Sequence, residues 1–374
     1  MKKHLFFCLA ALAGRAEEPF APYLDLSAET NRHVVIAAGT PEIYQGHATT
    51  ALLADGQTLF AVWTLGHGGG CGPAATSRDG GKTWHRIDGR FPAEYKSFKN
   101  CPALFRMSDP QGKERLFIFA CGRPDKANSR ALEMTRVVSE DHGETWRVLP
   151  PLPVTCVMPL CTVIRLKDGS YLGQYNDRWP EQKSRWNRVF QIRSEDGGLT
   201  WADARPVAQH PNMNLCEPFL LRSPDGKELC AVLRDNAKNA LSKLTFSRDE
   251  GKTWTAPEDA SWGITGHRHH GVQLKDGRWA VAFRDTAPKS PTRGHFVAWV
   301  GTYGEIKNKQ SGKRIKLLRS FAGMDCGYAA LVLFPDETIL ATTYIKYWND
   351  NRKQSVVGVF INPYDLTNGS FRHL

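Results

Sequence analysis

One octapeptide occurs four times in this chain, and that recurrence constrains the fold more than any other feature. It reads Ser77-Arg-Asp79-Gly-Gly81-Lys-Thr83-Trp84, Ser139-Glu-Asp141-His-Gly143-Glu-Thr145-Trp146, Ser194-Glu-Asp196-Gly-Gly198-Leu-Thr200-Trp201 and Ser247-Arg-Asp249-Glu-Gly251-Lys-Thr253-Trp254, each an instance of S-x-D-x-G-x-T-W. The copies start 62, 55 and 53 residues apart, the size of one four-stranded propeller blade. Each position has a mechanical reason: the Asp carboxylate binds turn N–H groups, Gly permits a positive φ, Ser and Thr add local hydrogen bonds, and Trp packs into the blade. The box is therefore read as a hairpin staple and its aspartates as structural.

A second repeat runs out of phase with the first, as strand, Asp-Gly-type turn, strand. It covers Ala48–Leu53 with Thr58–Trp63, Ala103–Arg106 with Leu116–Cys121, Cys161–Leu166 with Tyr171–Tyr175, Pro218–Leu221 with Leu229–Leu233, Gly271–Leu274 with Trp279–Phe283, and Tyr328–Phe334 with Ile339–Tyr344. Six hairpins with apolar, β-branched and aromatic flanks predict an all-β fold, one six-bladed β-propeller at about 58 residues per blade. Ring closure needs a strand from the other terminus, and His33–Ala38 is expected to complete the last blade beside Ser355–Ile361. No Pro/Ser-rich linker divides the chain, so a single domain is expected over 17–374.

The first sixteen residues carry Lys2 and Lys3, an apolar stretch from Leu5 to Ala13, and small residues up to Ala16, the pattern of a secretory signal peptide. No other apolar run approaches 18 residues, which excludes a polytopic membrane protein and gives no expectation of membrane insertion. The formal charge is +11, of which Lys2, Lys3 and Arg15 of the leader supply three. Without a Lys/Arg-rich block, and in an exported chain, this surplus points to an acidic glycan rather than to nucleic acid. Eight cysteines remain after Cys8: Cys71, Cys101, Cys121, Cys156, Cys161, Cys216, Cys230 and Cys326. Export permits disulfides, and no spacing fits a zinc site, so neither metal nor cofactor is expected.

Function should collect where the innermost strands begin and their neighbours end. The strand entrances carry His47, Asn100-Cys101, Cys216-Glu217, His269-His270 and Tyr328; the exits carry Arg123, Asn176-Asp177, Arg234-Asp235 and Arg284-Asp285. Arg123, Arg234, Arg284 and Arg293 would surround the mouth and suit a carboxylate. The competing reading is Arg–Asp pairing within loops, since Asp235 and Asp285 directly follow two of the arginines. A disulfide between Cys101 and Cys121 is a further structural expectation. His267, His269 and His270 lack a carboxylate set, which argues against a metal.

These features resemble the sialidase (neuraminidase) superfamily across essentially the whole mature chain. Glu217-Pro-Phe-Leu-Leu-Arg-Ser-Pro-Asp225-Gly226 through Arg234, Arg293-Gly-His-Phe-Val-Ala-Trp-Val-Gly, and Cys326-Gly-Tyr328-Ala-Ala-Leu with Pro335-Asp336 carry the resemblance. It implies that Arg234 and Arg293 clamp a substrate carboxylate, that Tyr328 attacks the anomeric carbon, and that Glu217 takes the phenolic proton. A neutral nucleophile avoids repulsion by an acidic sugar. The N-terminal half departs from the family: His47-Ala48-Thr49-Thr50 replaces its first arginine motif, and the Leu65-Gly66-His67-Gly68-Gly69-Gly70-Cys71-Gly72 loop has no acidic aspartate. The glutamate that supports that arginine is also absent near 344–346. Arg284 or Arg123 is then the expected third cation, His67 the expected acid, and His47 an alternative acid or a substrate contact, each histidine weighed against having no role. The leading expectation is an exported retaining exo-glycosidase acting on sialic acid or a related acidic sugar. The alternatives are a polysaccharide lyase acting on uronate glycans, and a non-catalytic glycan-binding propeller.

Overall fold

The computed structural model describes residues 23–124, 132–179 and 186–368; the leader lies outside them. Six sheets are arranged as propeller blades, and the innermost strand of each touches the innermost strand of the next blade. These inner strands are Gln45–Leu52, Lys99–Ser108, Met158–Arg165, Leu215–Arg222, Gly266–Gln273 and Cys326–Leu333. The second strands include Leu59–Leu65, Leu229–Asp235, Trp279–Asp285 and Ile339–Ile345, and almost every residue in them is buried. That follows from packing each blade face against a neighbour: a middle strand covered on both sides reads as a continuous apolar run. The outermost strands end in short, exposed, charged pieces such as His85–Arg86 and Glu258–Asp259, which discourages edge-to-edge pairing.

The core is a series of layers between adjacent blades. Phe60, Leu104, Ile118 and Val137 join blades 1 and 2, while Ala282, Ala298, Leu331 and Ala341 join blades 5 and 6. As expected, His33–Ala37 closes the ring by pairing antiparallel with Ser355–Ile361. Tyr23–Asp25 adds a parallel fifth strand to blade 5 beside Lys313–Leu318, which the repeat pattern did not indicate.

The four boxes are staples. In the first, Asp79 Oδ1 accepts from the Ser77 hydroxyl at 2.8 Å and from Thr83 N–H at 2.9 Å, and Trp84 Nε1 donates to Gly81 O at 2.9 Å. The box glycines also fix blade spacing. A Cβ on Gly143 would lie 2.3 Å from the Phe60 ring of the preceding blade, and one on Gly198 would lie 2.5 Å from Met107. Among the described residues no helix is long and apolar enough to cross a membrane.

Candidate active site

Every inner strand slips register near its entrance: between Gly46 and Thr49, Lys99 and Ala103, Met158 and Thr162, Cys216 and Phe219, His267 and His270, and Gly327 and Ala330. In five of the blades a non-glycine residue takes a left-handed conformation there: His47 (φ 31°), Cys101 (φ 51°), Glu217 (φ 48°), Arg268 (φ 57°) and Tyr328 (φ 58°). Such a conformation costs roughly 1–3 kcal/mol per residue and persists only where the surroundings enforce it. A bulge re-aims its side chain, and these five meet around the axis.

Tyr328 is the hub. Its hydroxyl donates to Glu217 Oε1 at 2.8 Å, one ring face stacks on His47 at 4.1 Å, and the Arg268 guanidinium lies 5.4 Å from the ring centroid. Arg234 Nη1 donates to both Glu217 oxygens at 3.0 Å, while Nη2 donates to Asn236 Oδ1 at 2.5 Å. Glu217 N–H donates to Asn176 Oδ1 at 3.2 Å, fixing the strained backbone. Burial opposes ionisation of Glu217, but Arg234 and Arg268 hold its carboxyl far below the usual range. Burial, with Cys101 and Glu217 nearby, pushes the Tyr328 phenol well up. At neutral pH the pair is thus a carboxylate acceptor and a protonated phenol.

His47 Nδ1 lies 2.9 Å from Cys101 Sγ. Burial, with His67, Arg268 and Arg284 nearby, lowers His47 to about 3, so it is neutral and unsuited to deliver a proton. The expected Cys101–Cys121 disulfide is not formed. The bulge turns Cys101 toward His47, and Cys121 Sγ faces Cys156 Sγ at 3.6 Å. All eight described cysteines are buried and free.

His67 stands at the mouth, its side chain 59% exposed, with its ring edge on His47 at 4.6 Å. The carboxylate missing from its own loop arrives from blade 6: Asp325 Oδ1 is 3.2 Å from His67 Nδ1 and accepts from Tyr44 OH at 2.8 Å. Burial opposes ionisation of Asp325, but the His67 and Tyr44 hydrogen bonds hold it below the usual carboxylate range.

The arginines divide. Arg234 belongs to the Glu217 pair. Arg284 Nη1 donates to Met324 O at 2.5 Å and Cys326 O at 2.9 Å, and its Nη2 donates to His267 Nδ1 at 2.7 Å. It braces the entrance to the Tyr328 strand. Arg293 is exposed and donates to Thr286 O in its own loop; none of its described contacts reaches Tyr328, Glu217 or Arg234. The Arg123 side chain lies outside the described residues. Pairing with the following aspartates does not occur, because successive strand residues face opposite ways. Asp285 instead pairs with Arg314 at 2.7 Å, and Asp235 lies 3.7 Å from Lys243.

Arg268, Asp325, Tyr44 and His267 were not singled out from the sequence as site residues. The signal for Arg268 was its place at a strand entrance matching Glu217 and Tyr328. Since arginine only donates, Arg284 makes His267 Nδ1 an acceptor and leaves its proton on Nε2. Among the described residues no group of three or more His, Cys, Asp or Glu side chains could hold a metal ion.

Comparison with solved structures supports the fold. A protein of unknown function from Dyadobacter fermentans is 18% identical with a TM-score of 0.69, covering 88% of this chain and 97% of that one. The α-L-arabinofuranosidase of Fusarium graminearum is 14% identical with a TM-score of 0.66, covering 90% and 99%. The NanB sialidase of Streptococcus pneumoniae is 14% identical with a TM-score of 0.60, covering 90% and 71%. No curated protein matches the chain. The BNR/Asp-box repeat model matches residues 75–86, around the first staple. The BNR repeat-like domain model matches residues 90–339, more than half of the sequence, so the chain belongs to the BNR repeat-like domain family.

Proposed function

We propose that this protein is an exported retaining exo-glycosidase that removes a terminal acidic sugar, a sialic acid or close relative, from a glycan. The observation that carries the reading is the 2.8 Å hydrogen bond from Tyr328 to a Glu217 held ionised by arginine. In the first step Tyr328 Oη bonds to the anomeric carbon as its proton passes to Glu217. The glycosidic C–O bond breaks, and the leaving oxygen takes a proton from His67. In the second step water attacks the anomeric carbon, returning a proton to His67, while the tyrosyl oxygen leaves and recovers its proton from Glu217.

The acidic substrate is supported by charge. Among the described residues three guanidinium groups, Arg234, Arg268 and Arg284, surround the site against two carboxylates, Glu217 and Asp325, and Arg268 Nη1 has no hydrogen-bond partner there. A positive surplus at the site attracts anionic sugars. The names of two structural neighbours, a sialidase and an arabinofuranosidase, support glycoside chemistry on this fold. The test incubates the chain lacking its leader with a fluorogenic sialoside and with mucin glycans, following released sialic acid and near-ultraviolet absorbance together. Release that disappears in Tyr328→Phe supports the reading. Absorbance without hydrolysis indicates a lyase, and binding without turnover indicates a glycan-binding propeller.

A further inference from the structure

We infer that Asp325 is the positioning residue of a histidine–aspartate dyad, assembled across blades 6 and 1, that makes His67 the proton donor to the leaving group. The inference rests on the hydrolase reading and supplies the acid that reading requires.

Of Glu217, His47 and His67, the first two are unsuited to protonate a departing oxygen. Glu217 is ionised and saturated by Arg234 and Tyr328, and His47 is buried with Nδ1 on Cys101. His67 remains, exposed and one ring beyond Tyr328: its ring lies 4.6 Å from His47, which lies 4.1 Å from Tyr328.

Its surroundings favour one tautomer. Tyr44 OH donates to Asp325, and Gln354 Nε2 donates to the other Asp325 oxygen. His67 Nδ1 lies 3.2 Å from Asp325 Oδ1 and 3.3 Å from Tyr44 OH, whose own proton goes to Asp325; a proton on Nδ1 then faces two acceptor oxygens, and the dyad leaves Nε2 at the mouth to carry the transferable proton. The titratable and charged groups around the dyad are Tyr44, His47, Tyr344 and, on the Asp325 side, Arg284.

The loop is built to hold this geometry. Gly66 N–H donates to Tyr44 O at 2.8 Å, Leu65 N–H to Gly70 O at 2.9 Å, and Asn100 N–H to Gly69 O at 3.1 Å. Gly68 has φ +65°, and a Cβ there would lie 3.3 Å from Asn100 Oδ1. The Gly-rich run therefore presents His67 on an anchored turn.

The test compares Asp325→Asn and His67→Ala with wild type on two probes, 4-nitrophenyl sialoside and sialyl-lactose. The nitrophenolate leaves without protonation and the lactose alkoxide does not. The dyad predicts that both variants lose about 10²–10³-fold in kcat on sialyl-lactose and less than about 3-fold on the nitrophenyl probe at the bond-breaking step. Equal losses on both probes, or none, would overturn it. His67 is exposed, so its alanine variant keeps the fold if Asp325→Asn does not. Independently of turnover, ¹⁵N NMR should show the Nδ1–H tautomer of neutral His67 in wild type and its loss in Asp325→Asn. An Nε2–H tautomer in wild type overturns the dyad. Turnover of neither probe by wild type removes the hydrolase reading and the acid role with it, while the tautomer result still reports whether the pair exists.

Discussion

The Tyr328 hydroxyl donates to Glu217 Oε1 at 2.8 Å across 111 positions of sequence, from two inner strands that are not neighbours around the ring. Both residues occupy left-handed bulges, at φ 58° and 48°. Two strained positions aimed at each other, with the carboxylate held by Arg234, form a preorganised acceptor–donor pair rather than a chance surface contact.

Separating chemistry from stability at this pair gives the first prediction. Tyr328→Phe should lower kcat about 10³-fold or more while changing stability by only about 1 kcal/mol, the worth of one hydrogen bond. Glu217→Gln should also abolish turnover, but it strips a buried carboxylate from Arg234 and should cost about 3 kcal/mol. Glu217 has a folded-state pKa below its ordinary 4.5. Its contribution is therefore present above that value and is lost as pH falls further. Urea unfolding of wild type and Glu217→Gln from pH 7 to 3 should show the stability gap narrowing toward acid; a constant gap contradicts the ion-pair account.

The propeller was legible because Ser77, Asp79, Gly81 and Trp84 act within one turn, and their spacing recurs wherever the turn recurs. Tyr328, Glu217 and Arg234 were legible because their segments resemble a known pattern. Asp325 was not, because it serves His67 from a different blade and only ring closure brings them together. Arg293 lies apart from Tyr328 and Glu217 because its guanidinium donates to Thr286 O of its own loop. Arg284 sits at a strand exit as expected, but two of its acceptors are the backbone carbonyls of Met324 and Cys326, which no side-chain pattern reveals.

Acid should destabilise the axis beginning above pH 6. Burial lowers His47 to about 3 and both His269 and His270 to about 4, with His267 well below its usual range. His270 Nδ1 accepts from Leu331 N–H at 3.1 Å, which requires a neutral ring, while at His269 burial outweighs the hydrogen bond from Nε2–H to Ile264 O at 2.8 Å. With folded pKa values depressed, the unfolded chain takes up protons first. Stability is full above about pH 6.5 and falls toward pH 4, by up to about 1.4 kcal/mol per pH unit per histidine. Urea midpoints at pH 7.5, 6 and 5 should fall accordingly, and His269→Gln should flatten the slope by about one proton. A flat profile over that range would show that these rings are not held neutral.

Gly143→Ala should unfold blade 2 from blade 1 more readily than loss of the neighbouring aspartate does. The alanine Cβ would meet Phe60 at 2.3 Å, and the residue has φ +87°, so both packing and backbone oppose it, by about 3 kcal/mol or more. Asp141→Ala removes bonds to Ser139, Thr145 N–H and Thr145 Oγ1 at an exposed turn, costing about 1–3 kcal/mol. Neither change should alter kcat below the unfolding temperature, because the staple only holds the hairpin. A specific activity loss in folded Asp141→Ala would assign the box a role beyond the turn.

Arg314 and Asp285 form a buried pair whose disruption should be asymmetric. Arg314 Nη1 donates to Asp285 Oδ2 at 2.7 Å, Nε and Nη2 donate to Gly263 O at 3.0 and 2.9 Å, and the guanidinium lies 4.4 Å from the Trp262 ring centroid. Both side chains are almost fully buried, at 1% and 0% exposure. Arg314→Met leaves Asp285 without its cation and should cost about 3–5 kcal/mol. Asp285→Asn keeps Arg314 on its carbonyls and on Trp262, and should cost less. The double variant should be less destabilised than the two singles combined, because no uncompensated charge remains in the blade. Denaturant unfolding of the four proteins measures that coupling. Simple additivity would mean that solvent reaches the pair and that it does not hold the Arg284 strand against the outer sheet.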